Sequence, residues 1–216
     1  MSARPANQLG RGESTRERLL DLAERAILEK GYAATSIEEL IAAAGITKSG
    51  FFYHFREKSE LAKALLRRDN ANTAEAFDAI FGQADADNAD PLDALLDGLG
   101  RFAKTAAISP HAYPGCLVAA FAYQEALFDA EHWRLMEQGF AERRAQLRTR
   151  LDRIAAQRPS RAEVDLDDLA DMAIAIIQGA IVLDRVRGTP AAIDQQIALY
   201  KGFLLNLFDQ NRTRRA

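Results

Sequence analysis

Thr47, Lys48, Ser49 and Gly50 bring two hydroxyls, one cation and a residue without a side chain into four consecutive positions. Hydroxyls and an ammonium hydrogen-bond phosphate oxygens and base edges, and a missing Cβ lets a backbone come close to another molecule. Tyr53, His54 and Lys58 follow with further donors. A second set is scattered: Phe102, Cys116, Phe121, Trp133, Met136, Phe140 and Gln178 are mostly apolar or soft, with one amide, the mixture that lines a small-molecule pocket. Aromatic and Met residues at helical spacing also make ordinary core. As a set they favour an apolar or aromatic ligand over a sugar or nucleotide.

The elements that position these residues read as helices throughout. Ser14 with Glu17 and Ser36 with Glu39 form capping boxes, in which the hydroxyl takes an orphan backbone N–H and the carboxylate reaches back. The first opens a helix closed by Gly31. The second opens a short helix with Ile37, Leu40, Ile41 and Ala44 on one face, closed by Gly45. Thr47 caps a third helix, Lys48 to Phe55. A fourth runs from Lys58 to about Phe81, and 82–90 (GQADADNAD) reads as loop. Asp90 and Pro91 open a helix to about Thr105, and 108–115 is loop. The spacing then predicts helices from Cys116 to Phe128 and from Asp129 to about Gln157. The latter carries Trp133, Met136, Phe140, Leu147, Leu151 and Ile154 on a core stripe. Asp165 caps a helix closed by Gly188, and Thr189 with Pro190 opens the last, to about Gln210.

The second and third helices, joined at Gly45, Ile46 and Thr47, have the helix-turn-helix layout, where one helix braces another whose N-terminal half enters a major groove. Layout alone leaves a non-binding helix pair equally open. The string from Thr15 to Leu61 closely resembles the DNA-binding domain of TetR-family transcriptional regulators. The resemblance rests on Gly31-Tyr32, Thr35-Ser36, Ala44 to Lys48, the aromatic run Phe51 to Phe55, and Lys58. It implies a homodimer on a palindromic operator, most often a repressor released by a small effector. Carried over by position, Thr47, Lys48, Ser49 and Gly50 face bases and phosphates. Tyr53, His54 and Lys58 meet the DNA backbone, and Ser36 sits near a phosphate at a helix N-terminus. Phe51 and Phe55 pack inside. The family often has Tyr where this chain has Phe52 and Ala where it has Ile41. His54 as a satisfied surface histidine is the lesser alternative.

The expected architecture is all-α, about nine helices: a flexible arm at 1–13, a helix-turn-helix DNA-binding domain at 14–60, and a helical ligand-binding and dimerisation domain at 61–216. In the last two helices, Leu169, Met172, Ala173, Ile176, Ala180 and Leu183 make one apolar stripe and Ile174, Ile177 and Ile181 another. Ile193, Ile197, Tyr200 and Leu204 are likewise joined by Leu199, Phe203 and Leu207. Two stripes per helix predict a core on one side and a partner on the other, a dimer through these helices with Ala175, Gly179 and Ala180 allowing close approach. Such a dimer sets two reading heads about one DNA turn, roughly 34 Å, apart.

Composition narrows the alternatives. The 216 residues carry 28 Lys/Arg and 31 Asp/Glu, a net charge of −3. Residues 1–70 hold 12 against 10 and residues 71–216 hold 16 against 21, so the excess is +2 on the proposed head and −5 beyond it. One cysteine and three histidines argue against disulfides and against a metal, and no cofactor is expected. No run approaches the ~20 apolar residues of a membrane span, and the polar first 13 residues lack a signal-like core, so no membrane partner and a cytoplasmic location are expected. No dinucleotide or phosphate loop appears, so an enzyme is not expected. Cys116, after Pro114-Gly115 at a helix start, offers an alternative: a thiol tuned to sense electrophiles or oxidants. A dimeric ligand binder without DNA function is a further alternative.

Overall fold

A computed structural model describes residues 11–108, 116–122, 124–189 and 191–208. Among these the chain forms α1 (Arg11–Lys30), α2 (Ile37–Ala44), α3 (Lys48–His54), α4 (Lys58–Asp87), α5 (Pro91–Ile108), α6 (Leu117–Ala122), a 3-10 turn (Glu125–Leu127), α7 (Ala130–Gln157), α8 (Leu166–Arg187) and α9 (Ala192–Phe208). No described residue lies in a strand, and no described helix is long and apolar enough to cross a membrane. The all-α expectation holds. The expected arm lies largely at 1–10, outside the described residues, and 11–13 belong to α1.

Several boundaries follow the expected local chemistry. Asp90 Oδ1 accepts from the backbone N–H of Leu92 and Asp93 at 2.9 and 3.1 Å, and Asp165 Oδ1 accepts from Asp167 N at 2.7 Å. Gly31, Gly45 and Gly188 close their helices at φ of 89°, 62° and 69°, the left-handed region open to glycine. Other boundaries move. Ser14 lies inside α1, which starts at Arg11, so its capping box does not open the helix. Residues 82–87, expected as loop, continue α4. The acidic end is held by arginines from elsewhere: Asp85 pairs with Arg150 and Arg153 at 3.1 and 3.0 Å, and Asp87 with Arg101 at 2.7 Å. Those partners are distant in sequence, which is why no local reading finds them. The helix expected over 116–128 stops at Ala122. Phe121 and Phe128 stack 5.0 Å apart between centroids, whereas seven residues of continuous helix would separate them by about 10 Å.

Contacts divide the chain into two compact units, Met1–Asp69 with Leu117–Leu135 and Asn70–Cys116 with Met136–Ala216. The first therefore takes in a segment that the sequence reading assigns to the larger domain. In it α1 packs on α2 and α6, around Leu19, Leu20, Ala23, Ile27, Leu40, Phe51 and Phe55. Each such leucine, isoleucine or phenylalanine contributes about 1.5–3 kcal/mol on leaving water.

In the second unit α9 packs on α5 and α8. Its core joins Phe77, Phe81, Leu95 and Leu99 to Ile177, Ile197, Tyr200 and Leu204. The Tyr200 hydroxyl donates to the Leu169 carbonyl at 2.8 Å, and burial raises its pKa far above the ordinary value, so it stays a neutral donor. The apolar faces sort differently from the expected stripes. Ile174, Ile177 and Ile181 turn inward beside Leu169, Ala173 and Ala180, while Met172 and Leu183 turn outward; on α9 Leu207 is buried and Leu199 and Phe203 are exposed. Nor is α9 opened by Thr189. The Asp184 carboxylate of α8 accepts from Ala191 N and Ala192 N at 3.0 and 2.6 Å.

Helix contact in the second unit depends on Gly98. A Cβ there would stand 2.3 Å from Cδ1 of the buried Phe81 ring, whereas one on Gly82 would meet nothing within 4 Å. Gly98→Ala is expected to lower stability by about 1–3 kcal/mol through overpacking, and Gly82→Ala to raise it by up to about 1 kcal/mol through helix propensity. Urea denaturation of both variants checks this. Equal shifts would contradict the close approach.

Candidate nucleic-acid interface

α2 and α3 are eight and seven residues long, too short to persist alone, so their ends carry much of the geometry. The Ser36 hydroxyl accepts from Glu39 N at 3.1 Å and caps α2. At the other end Gly45 N reaches Ala42 O and Ile46 N reaches Ile41 O, each at 3.2 Å, closing the helix in a Schellman-like turn. Thr47 then caps α3, its Oγ1 accepting from Gly50 N at 3.1 Å and lying 3.0 Å from Ser49 Oγ. The chain thus turns from one helix to the next within three residues.

α3 has two faces. Phe51 and Phe55 are buried, with centroids 5.9 Å apart, and Arg16 covers Phe55 at 5.2 Å; the expectation that they pack inside holds. Thr47, Lys48, Ser49, Phe52 and Tyr53 are exposed, Tyr53 at 83%. His54 is half-buried beside Tyr53, ring centroids 5.1 Å apart. So α3 presents a contiguous polar and aromatic surface from its first turn.

Lys58 differs from the other expected contacts. Its ammonium donates to the Tyr32 carbonyl and lies 4.1 Å from the centroid of the Tyr32 ring. Burial, and then the charge of Lys30, lower its pKa, while burial and then Glu57 push the Tyr32 phenol up to about 12. In this structure Lys58 holds the turn between α1 and α2. The sequence reading missed this tie, and with it Tyr32, whose ring meets Phe121 and Phe128 at 5.5 and 4.9 Å. It also missed Gln124, whose Oε1 accepts from Ala33 N at 3.1 Å. Gly31-Tyr32 carried a signal as part of the family string; Gln124 carried none.

The expected ligand-lining residues fall in both units. Phe121 is fully buried in the aromatic cluster around Tyr32, and Trp133, in the same unit, is 37% exposed rather than turned to a core. In the second unit Phe102 packs on Phe77 at 5.2 Å, and Met136 is buried. Phe140 lies 4.8 Å beneath the Arg143 guanidinium, and Gln178 is half-buried. Cys116 is partly buried against the core. No group of three or more His, Cys, Asp or Glu able to hold a metal occurs among the described residues.

A family model described as bacterial regulatory proteins, tetR family, matches residues 19–65, which span α2, the turn and α3. The crystal structure of a TetR transcriptional regulator from Chloroflexus aurantiacus matches with a TM-score of 0.72 and 28% identity, over 91% of this chain and 98% of that one. Residues 19–65 belong to the TetR family. The HTH-type transcriptional regulator AcrR of Shigella flexneri is 33% identical over 63 residues, 29% of this chain and 29% of that protein. That match therefore spans under a third of either sequence. A longer alignment, 27% identical over 176 residues, covers 81% of this chain and 86% of the DNA-binding transcriptional repressor TetR of Mycobacteroides abscessus.

The packing of this helix pair does not demand a glycine at position 50. A Cβ there would meet Thr47 Oγ1 at 3.4 Å and Ile46 Cβ at 3.6 Å, ordinary contacts that the fold accommodates. Gly50→Ala is expected to leave stability unchanged or raise it by up to about 1 kcal/mol, read by urea denaturation. A loss above about 1 kcal/mol would assign the glycine to the fold instead.

Proposed function

We propose that the protein is a ligand-responsive transcriptional regulator, acting as a repressor that binds a palindromic operator as a homodimer. The carrying observation is α3: seven residues whose first turn exposes Thr47, Lys48 and Ser49 beside a glycine that the packing does not require. Inserted into a major groove, Lys48 supplies charge and donors, the two hydroxyls reach bases or phosphates, and Gly50 lets the helix backbone approach. Tyr53 and the half-buried His54 flank the same end. Ser36 at the α2 N-terminus adds a site for a phosphate, favoured by free N–H groups and the helix dipole. Lys58 acts by holding the α1–α2 turn and keeps spare donors for the backbone. The relative named as a DNA-binding repressor supports this direction of control.

Dimerisation through α8 and α9 is supported by an exposed apolar stripe. Met172, Ala175, Gly179, Val182, Leu183 and Val186 recur at three- and four-residue spacing on α8 and lie exposed, as do Leu199 and Phe203 on α9. A contiguous apolar patch of this kind marks an interaction surface, and a two-fold axis through it repeats the reading head. The effector enters the second unit, where Phe102, Met136, Phe140 and Gln178 supply an apolar wall with one amide. Release follows from differential binding of effector to the state that does not hold DNA.

Lys48→Ala is expected to weaken binding to DNA flanking the protein's own gene by about tenfold or more, with the dimer intact. Its salt slope should fall by about one if the contact is to phosphate. Electrophoretic shifts at two salt concentrations read both. Unchanged affinity would remove α3 as the recognition helix. Gly179→Glu, in open space on α8, should leave the fold intact and yield monomers by sedimentation, with operator binding lost; a dimeric variant would move the interface elsewhere.

A further inference from the structure

The first unit carries a cavity that no part of the regulator reading uses. About 410 Å³ in volume, it is bounded by Lys30, Ala33 and Ala34, at the end of α1 and in the turn that follows, and by Gln124, Ala126 and Leu127, at the 3-10 turn. These residues all belong to the first unit, and none is among the effector candidates of the second. A cleft of that volume admits a small molecule of one or two rings.

Most of the wall is apolar and built from small side chains. Ala33, Ala34, Ala126 and Leu127 are all exposed, so a flat ring laid on them takes apolar surface out of water. Polar groups stand at two places. The Gln124 amide is fixed from both sides: Oε1 accepts from Ala33 N at 3.1 Å, and Nε2 donates to Ala120 O at 2.9 Å. That nitrogen carries a second N–H. The other polar group is Lys30, which alone among the described lining residues is charged. Its ammonium pairs with Glu39 of α2, both side chains being exposed. Such a surface pair is weak, and an ammonium has three donors, so Lys30 can serve a second anion. Behind burial, Lys30 is also the charge that lowers the Lys58 pKa; a negative charge beside Lys30 eases that repulsion.

We propose that this cleft binds a small aromatic monocarboxylate, its ring against the alanines and Leu127 and its carboxylate on the Lys30 ammonium and the Gln124 amide. One negative charge and one flat apolar body match one cation, one amide donor and a wall of small side chains. A sugar would set its hydroxyls against alanine, and a cation would face Lys30. The bound molecule touches both the turn that leads into α2 and the segment that braces it. The site goes beyond the regulator reading and does not rest on it.

Titration of the full chain with 2-naphthoate, without DNA and followed by backbone and side-chain amide NMR, tests this. Saturable shifts are expected at Gly31, Ala33, Ala34, Ala126 and the Gln124 side chain, with a Kd of about 1 mM or below, within reach of a ligand of this size at modest efficiency. 2-Naphthamide and 2-naphthylmethylammonium should bind at least about fivefold more weakly. Lys30→Gln should remove the advantage of the carboxylate over the amide. Ala34→Glu, which sets an acid in the cleft, should weaken naphthoate binding at least about tenfold while resonances elsewhere stay in place. No saturable shift at these residues up to about 10 mM, shifts in the second unit only, or full affinity in Ala34→Glu overturns the site. Equal binding of the three probes, or a preference for the carboxylate that survives Lys30→Gln, overturns the ligand class.

Discussion

The reading head depends on one constraint: two helices of eight and seven residues cannot hold themselves and must be fastened from outside. The fastening converges on the turn after α1. Tyr32 buries its ring among Phe121 and Phe128, gives its carbonyl to Lys58, and sits beside Ala33, whose N–H goes to Gln124. From that turn Thr35, buried, and Ser36, exposed as a cap, lead straight into α2. Anything that shifts the 117–135 segment therefore reaches α2 through a few named contacts.

The same economy governs α3. Its buried positions, Phe51 and the following Phe55, serve the core, and its capping hydroxyl serves the backbone. What remains exposed is a lysine, two hydroxyls and an aromatic rim. Charge follows this division: the modest positive excess belongs to the first 70 residues, and several of the other cations described there are already paired. Arg68 is shared among Glu17, Asp21 and Glu24, and Lys63 between Asp129 and Glu131. Affinity for a polyanion would rest on a few placed contacts rather than on a field.

Local chemistry was legible wherever it acts locally. Caps at Ser36, Thr47, Asp90 and Asp165, and the glycines that end helices, stand where residue type requires. The helix-turn-helix string was legible because its turn and its aromatic spacing leave little freedom. What escaped was set by partners far along the chain. The acidic end of α4 stays helical because arginines from α5 and α7 neutralise it. α6 stops short so that two phenylalanines can share one tyrosine. On α8, periodicity finds two apolar stripes and cannot choose which turns inward; packing against α9 decides that. Cys116 and Trp133 have the right types for a ligand site, but type alone says nothing about which neighbour each meets.

The carboxylate of Asp184 has a mechanical consequence. It sits in the last turn of α8, where the dipole disfavours an anion, yet it supplies the N-terminal hydrogen bonds of α9. Neither helix can then fray at that junction without unsettling the other, so the pair opens as one cooperative unit. For an assembly built on these two helices, separation of whole subunits, rather than peeling of a single helix, becomes the lowest-cost motion.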